Sequence, residues 1–276
     1  MSITLDRLQQ LRAQAGHAPS PTAPASPDDA PIDLPFLKVL MQRRALRSHL
    51  DGIDRSLPGD EIAPGLRLIE STIDWLDAPD VVDTRFDPRA TCAIELAPQD
   101  VLAFDTETTG LAGGTGTRAF MIGAADWHQH RVRIRQLLIT QLSAEAAMLD
   151  CFASWLNDAT VLVCYNGKSY DAPLLAARYR LSRMKNPLAG RAHLDLLHPS
   201  RRRWRGHYEN CRLATIEREV LGVVREDDLP GSEAPAAWLD YLRGGGARNL
   251  RRVATHNHTD VVSLLRLLRH LSSTTD

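Results

Sequence analysis

The chain has 276 residues, which is enough for one large domain or two modest ones with a sizeable core. Its 33 Lys and Arg residues nearly balance its 34 Asp and Glu residues, which excludes a global basic field that would attract nucleic acid. Any binding of nucleic acid must therefore come from local patches.

The sequence also limits the compartment. The 4 cysteines are widely separated and form neither a Cys-x-x-Cys motif nor a Cys/His cluster, so neither a zinc site nor a disulfide framework is indicated. No apolar run approaches the roughly 20 residues that span a bilayer, and the N-terminus does not have the layout of a signal peptide. We therefore predict a soluble, cytoplasmic protein that does not enter a membrane.

Residues 1–90 are predicted to form an N-terminal appendage that is partly helical and partly irregular. Residues 1–35 combine a short helical pattern with a tether rich in Pro, Ala and Ser, which buries too little apolar surface to become ordered. Residues 36–90 contain a predicted helix from about Leu37 to Leu50 and a predicted strand near 66–70, which we expect to pack on the main domain. No motif in this region indicates a function.

The main domain is predicted over residues 91–276. Apolar runs predict strands near 101–104, 119–127, 131–140, 160–165 and 192–197. Helices are predicted after an N-cap at Ser143 and near 173–181, 212–221, 238–242 and 248–271. A meander of three strands, followed by alternating helices and strands, predicts an α/β fold with a mixed five-stranded sheet flanked by helices.

Two carboxylates stand at the end of the first of these strands. Asp105 and Glu107 are two positions apart, so on a strand their side chains point from the same face. Mg²⁺ or Mn²⁺ would relieve their mutual repulsion and their loss of solvation. The spacing alone is equally compatible with a strand that frays into a solvated acidic turn.

Two further acids follow later elements. Asp171 comes shortly after the strand near 160–165, and Asp260 lies within the last helix. If the topology brings all four acids together, two cations roughly 4 Å apart can activate a water and stabilise the leaving oxygen of a phosphodiester. His256 lies four residues before Asp260, on the same helical face, where an imidazole can take a proton from that water. An ordinary surface pair is the alternative.

Three segments together resemble the exonuclease motifs of the DEDD superfamily, which has a ribonuclease H-like fold. They are, in chain order, Phe104–Leu111, Tyr165–Asp171 and His256–Val262. The resemblance covers about residues 102–271, and within the superfamily the chain is similar to the bacterial YprB-type branch of predicted exonucleases. Motifs of this kind in this order are far more specific than any one of them alone.

The resemblance implies a two-metal-ion nuclease that removes nucleotides in the 3′-to-5′ direction. The four acids would be catalytic and would hold two Mg²⁺ or Mn²⁺ ions, and the backbone of Thr106 would lie near the terminal sugar of the substrate. His256 would be the catalytic histidine. It lies four residues before the aspartate, as in the tyrosine subgroup, and not five, as in the histidine subgroup. Roles as a general base and as a group that orients water therefore both stay open.

Other residues are candidates for binding the substrate. Asn166 and Lys168 belong to the second motif, and Lys168 would meet a phosphate or close a local ion pair. The basic segment around Arg202, Arg203 and Trp204 would contact the nucleic-acid backbone through its arginines, with the indole stacked on a base. A solvated basic turn is the alternative for this segment.

We therefore predict a metal-dependent 3′-to-5′ exonuclease that acts on a single-stranded 3′ end of DNA or RNA. Two alternatives stay open at this point. One is a structure-selective endonuclease on the same metal site, and the other is a nucleic-acid-binding module without chemistry. The presence of all four acids argues against the second alternative, because an empty acidic site is costly to keep.

Overall fold

The computed structural model describes residues 52–74, 78–110 and 116–274. The predicted tether within 1–35 and the predicted helix near 37–50 lie outside these described residues, as does the loop 111–115 that follows the first motif. None of the helices within the described ranges is long and apolar enough to cross a bilayer.

One mixed sheet organises the described part of the chain. Its strands and those of a small second sheet are β1 (Asp60–Ala63), β2 (Leu66–Asp74), β3 (Val82–Asp83), β4 (Glu95–Leu96), β5 (Val101–Thr108), β6 (Ala119–His128), β7 (Arg131–Ile139), β8 (Val161–Cys164) and β9 (His193–Asp195). The large sheet has the order β1-β2-β7-β6-β5-β8-β9, while β3 and β4 form the separate two-stranded sheet. Neighbours in the large sheet are antiparallel except β5 with β8 and β8 with β9, which are parallel.

The predicted meander is confirmed by β5, β6 and β7, which pair antiparallel in chain order. A tight turn joins β6 to β7, and Gln129 and His130 adopt φ angles of 50° and 63° in it. Two successive left-handed residues give a hairpin turn whose twist matches that of the paired strands. The meander places β5 inside the sheet, between β6 and β8.

The large sheet has seven strands where the sequence predicts five. The additional strands are β1 and β2, and β2 pairs along its whole length with β7. Apolar alternation predicts a strand near 66–70 but carries no information about the strand that it joins. As a result, β7 is an internal strand, with a partner on each side.

Helices lie on both sides of this sheet in the order of the sequence prediction. They are α1 (Glu145–Ser154), α2 (Asp171–Leu181), α3 (Leu197–Trp204), α4 (Leu213–Ile216), α5 (Ala234–Leu242) and α6 (Arg248–Ser273), with a π-helical turn at Glu217–Leu221 and 3-10 turns at Pro98–Asp100, Leu142–Ala144 and Gly231–Glu233. Ser143 does not cap α1, because it lies within a 3-10 turn and Ala144 occupies the N-cap position. The predicted α/β class is confirmed.

The basic segment is a helix and not a turn. β9 ends at Asp195, earlier than the predicted strand, and α3 begins at Leu197. Leu197, Ser200 and Trp204 are buried in α3. They recur at helical spacing, so one face of α3 packs against the domain while its arginines stay outside.

Side chains of β5 alternate between two apolar clusters. Phe104 belongs to one cluster and contacts Phe152 of α1, with ring centroids 5.9 Å apart. Ala103 belongs to the other cluster, together with Val261 of α6. Because successive side chains of a strand point to opposite faces, Asp105 lies on the same side as Ala103 and faces α6.

Candidate active site

The carboxyl ends of β5 and β8 meet at one edge of the sheet, because the two strands are parallel neighbours. Asp105 and Glu107 belong to the end of β5, and Asp171 begins α2 after the turn that follows β8. α6 packs across β5 and β6 and supplies Asp260. The topology therefore brings the four predicted acids to one place.

Burial and mutual repulsion disfavour the charged forms of these acids. Burial raises the pKa of Asp105 well above its usual range, and the charges of Asp260, Asp171 and Glu107 raise it further. Burial raises the pKa of Glu107 to about 8 and that of Asp171 to about 6, and it also raises the pKa of Asp260. The cluster therefore retains protons near neutral pH unless a cation compensates its charge.

The turn that leads into Asp171 is held by Asp195, a buried residue at the end of β9. Asp195 Oδ1 accepts a hydrogen bond from the backbone N–H of Asn166 at 2.7 Å, and its Oδ2 accepts one from that of Lys168 at 3.2 Å. Asp171 itself accepts a hydrogen bond from the Thr106 hydroxyl. Asp195 thus positions the backbone of this turn, and Thr106 restrains the orientation of the Asp171 carboxylate.

A buried amide network ties α6 to the sheet behind Asp105. Asn257 is fully buried and donates through Nδ2 to Asp105 Oδ2 at 3.0 Å. Its Oδ1 accepts a hydrogen bond from Gln136 Nε2 at 2.9 Å. Gly123 of β6 is paired with Asp105 on one side and with Gln136 on the other, and a Cβ at Gly123 would lie 2.0 Å from Asn257 Oδ1. The absence of a side chain at Gly123 is what lets α6 approach the sheet here.

Asn257→Ala is expected to lower the free energy of unfolding by about 1 to 3 kcal/mol, because it removes a buried partner of Asp105 and Gln136. Urea unfolding at fixed pH measures this loss. Thr255→Ala is the matched control on the same helix, since Thr255 is exposed and its hydroxyl donates to the carbonyl of Arg251 one turn earlier. The control should change stability by less than about 0.5 kcal/mol. Equal effects of the two substitutions would contradict the importance of the amide network.

Arg225, a residue that belongs to none of the sequence motifs, contacts Asp260. Arg225 donates from Nε and Nη2 to the two oxygens of Glu217, at 2.7 and 2.8 Å, and Nη2 also donates to Asp260 Oδ1. Glu217 is 1% exposed. The only hint in the sequence is that Glu217 directly follows the apolar Ile216 in a predicted helix. Arg225 therefore supplies positive charge to an otherwise acidic site.

His256 lies between two aspartates. Its Nδ1 is 2.7 Å from Asp228 Oδ1 and 2.9 Å from Arg225 Nη1, and its Nε2 is 3.5 Å from Asp260 Oδ2. One ring nitrogen cannot donate and accept at once, and the shorter contact favours Nδ1–H donation to Asp228. Burial opposes a charge on the ring, but Asp260 and the bond to Asp228 outweigh it and raise the pKa of His256. The imidazolium form is thus favoured in this arrangement.

The donor set suits a hard divalent cation, since all four acids offer carboxylate oxygens. Three of them accept hydrogen bonds from protein donors: Asp105 from Asn257, Asp171 from Thr106 and Asp260 from Arg225. Within the described residues, no group of three or more His, Cys, Asp or Glu side chains has the arrangement of a formed metal site. The acids therefore fit Mg²⁺ or Mn²⁺ by the chemistry of their donor atoms.

A cavity of about 240 Å³ opens beside the carboxylates. Asp105, Thr106, Asp171 and Asn166 are among the residues that line it, together with Tyr170, which is 61% exposed. Two of the predicted substrate-binding residues, Thr106 and Asn166, are thus at the site. Lys168 is exposed on the same turn but is not part of the cavity wall.

The structure does not bring the other predicted substrate-binding residues to this cavity. Arg202 donates to the carbonyl of Phe86 at 2.9 Å and to Asp87 Oδ1 at 3.1 Å. Arg203 donates to Thr274 Oγ1 at 2.7 Å. Trp204 is 8% exposed, so its indole is not presented to a base. These three residues hold α3 against neighbouring segments.

Comparisons with known proteins match the part of the chain that carries the site. A family model described as the RNase_H superfamily matches residues 102–272. A Bacillus subtilis (strain 168) protein described as "Uncharacterized protein YprB" is 40% identical over 170 residues, which cover 61% of this chain and 41% of that protein. The chain therefore matches less than half the length of this curated relative.

A solved structure gives a weaker likeness. It is the family B DNA polymerase from the hyperthermophilic archaeon Pyrobaculum calidifontis, with 19% sequence identity and a TM-score of 0.47. The likeness covers 62% of this chain and 24% of the polymerase chain. The family match, by contrast, extends from β5 to α6 and so includes every element that supplies one of the four acids.

Proposed function

The chain belongs to the RNase H superfamily, and from its acid cluster we propose that it is a divalent-metal-dependent 3′-to-5′ exonuclease acting on DNA or RNA. The observation that carries the proposal is the convergence of Asp105, Glu107, Asp171 and Asp260 from three separate elements into one partly buried cluster with raised pKa values. A fold gains no stability from such repulsion, so a role in binding cations accounts for it. The resemblance of the three motifs to the DEDD superfamily supports the direction of cleavage.

The four acids would hold two ions, for which Mg²⁺ and Mn²⁺ are the fitting elements. When bound, such ions activate a water and stabilise the leaving oxygen of a phosphodiester. The protein residues orient the reacting groups. Thr106 restrains Asp171, Asn257 restrains Asp105 through its 3.0 Å hydrogen bond, and Arg225 restrains Asp260.

His256 would act on the attacking water. It is positioned by Asp228 on one ring nitrogen, and its other ring nitrogen is directed to Asp260. An imidazole in this place can accept the proton of the water as a general base or fix the orientation of the water by a hydrogen bond. Both roles need the same placement of the ring, so only substitutions of His256 and of its partner Asp228 separate them.

The cavity of about 240 Å³ beside the carboxylates is where a terminal nucleotide would lie. Thr106 and Asn166 line the cavity, where they would contact that nucleotide.

The proposal is tested with single- and double-stranded DNA and RNA, each labelled at the 5′ end, in Mg²⁺, Mn²⁺ or EDTA. We expect a ladder of stepwise shortened products with either cation and none in EDTA. A 3′-phosphorylated copy of the substrate and a circular single strand test the need for a free 3′ end. Cleavage of the circle would indicate an endonuclease, and binding without any cleavage would indicate a non-catalytic module.

A further inference from the structure

A second cavity adjoins the active-site cavity. Its volume is about 440 Å³, and its wall includes Arg201, Asn210, Cys211 and Arg212. Tyr165 and Asn166 line both cavities, so the two lie side by side at these residues. A strand whose end lies at the carboxylates would therefore extend along the second cavity.

Two arginines from different segments converge on this second cavity. Arg201 comes from α3, and Arg212 directly precedes α4. Both are exposed, and within the described residues neither side chain forms an ion pair. The neighbouring Arg202, by contrast, is paired with Asp87. Arg201 and Arg212 thus offer two guanidinium groups without protein anions.

The walls of the second cavity are fixed by hydrogen bonds. The Tyr165 hydroxyl donates to the carbonyl of Cys211 at 2.7 Å, which ties the segment before α4 to the end of β8. Asn210 Oδ1 accepts from the Arg212 backbone N–H and from the Thr215 hydroxyl, both at 2.8 Å. A preorganised wall lowers the entropy cost of binding a ligand there.

We propose that Arg201 and Arg212 bind backbone phosphates of a single strand whose 3′ nucleotide occupies the active-site cavity, an inference that rests on the proposed function. Guanidinium groups match phosphate oxygens in geometry and charge. The acid cluster repels a polyanion, so positive charge beside it has to position the substrate. The phosphate contact is therefore assigned to Arg201 and Arg212. It replaces the contact that the sequence predicts for Arg202, Arg203 and Trp204.

Equilibrium binding in EDTA separates this contact from cleavage. The probes are fluorescent single-stranded and duplex oligonucleotides of equal length, titrated over a range of salt concentrations with wild type, Arg201→Gln, Arg212→Gln and the double variant. Each single substitution should weaken binding of the single strand about tenfold at low salt. A plot of the logarithm of the binding constant against the logarithm of the salt concentration should also become less steep by about 0.7, the value for one phosphate contact with a single strand.

Arg131→Gln is the matched control for loss of one positive charge. Arg131 is exposed at the β6–β7 turn, and it pairs with Asp74 at 2.9 Å. The turn lies at the opposite end of β6 from Ala119, which pairs with Thr108 beside the carboxylates. The control should leave both affinity and salt slope at the wild-type values.

Several results would overturn the inference. They are an unchanged salt slope in both single variants, an equal weakening by Arg203→Gln on the same helix, and duplex binding as tight and as arginine-dependent as single-strand binding. Cleavage with Mn²⁺ is measured in parallel. Binding that depends on the two arginines, without release of nucleotides, would refute the nuclease activity and support the strand-binding cavity. Normal release of nucleotides with unchanged salt slopes would support the nuclease activity and refute the strand-binding cavity. Melting curves of both variants check the fold.

Discussion

Without divalent cations, the protein is expected to lose stability as the pH rises from about 5 to about 8. Burial in the fold raises the pKa of Glu107 to about 8 and that of Asp171 to about 6, whereas both acids titrate near pH ~4 in an unfolded chain. The folded protein therefore holds protons that the unfolded chain has released, and the free energy of unfolding falls as the pH rises through this window. At about 1.4 kcal/mol per pKa unit, the loss is on the order of 5 kcal/mol.

His256 adds to the same trend. Its pKa is raised, against the effect of burial, by Asp260 and by the hydrogen bond to Asp228. A raised histidine pKa contributes stability at low pH that is lost as the pH rises through the folded value. The three groups thus act in one direction.

Thermal melting in EDTA across this pH range measures the effect. Mn²⁺ should raise the melting temperature more at the upper end of this range, since it would bind the ionised acids of the folded state. Glu107→Gln removes one charge from the cluster, so it should melt above wild type in EDTA near pH ~8 and respond less to Mn²⁺. Asp74→Asn is the control, because its side chain is 76% exposed. A melting temperature in EDTA that stays constant or rises with pH would contradict the raised pKa values of the acids in the folded protein.

The central meander and the last helix follow from the sequence because their signals are local. β6 and β7 are apolar runs on either side of a tight turn, and α6 carries an apolar stripe at helical spacing. The position of β2 in the sheet cannot be predicted in this way, because its pairing with β7 depends on long-range contacts and not on the alternation of apolar residues. α3 could have been predicted: its buried residues recur at helical spacing, but its run of arginines is also typical of a solvated turn.

The four acids can be placed from the sequence by two constraints. Parallel strands end at the same edge of a sheet, and an apolar helix has to cover one of its faces. The residues that form hydrogen bonds with the acids can be identified only from the three-dimensional structure. Asn257 is 152 residues from Asp105, and Arg225 is 35 residues from Asp260. Gly123 carries a weak signal, since a glycine inside a strand marks a close approach of another segment.

Asp260→Asn is expected to abolish nucleotide release by the proposed nuclease while leaving the fold intact. The substitution removes a charge from the acid cluster, where the proposed nuclease would hold its cations. Its amide oxygen still accepts from Arg225, which keeps its bonds to Glu217 at 2.7 and 2.8 Å. Single-turnover release with Mn²⁺ measures the loss, with Asp74→Asn as the control. Release at the wild-type rate by Asp260→Asn would remove Asp260 from the site.

His256→Ala should have a smaller effect than Asp260→Asn, because in the proposed mechanism the histidine would act on the water and not on the cations. Loss of general-base help costs about 10²- to 10⁴-fold, and the residual rate should rise with pH as hydroxide becomes commoner. His256→Tyr should keep more activity than His256→Ala if the ring only orients the water through a hydrogen bond. If both variants cut as fast as wild type in single-turnover experiments, the assignment of His256 is wrong.

Asp228→Asn tests the proton of His256 without changing any of the four acids. It removes the negative charge of the carboxylate that lies 2.7 Å from Nδ1 and that helps to raise the pKa of His256, while the amide oxygen can still accept the hydrogen bond. If the neutral imidazole is the working base, the acid limb of the pH–rate profile should move to lower pH, because more of the ring is unprotonated there. The measurement is the single-turnover rate with saturating Mn²⁺ across the acid limb. A lower rate with the limb unmoved would rule out the general base and leave His256 to orient the water.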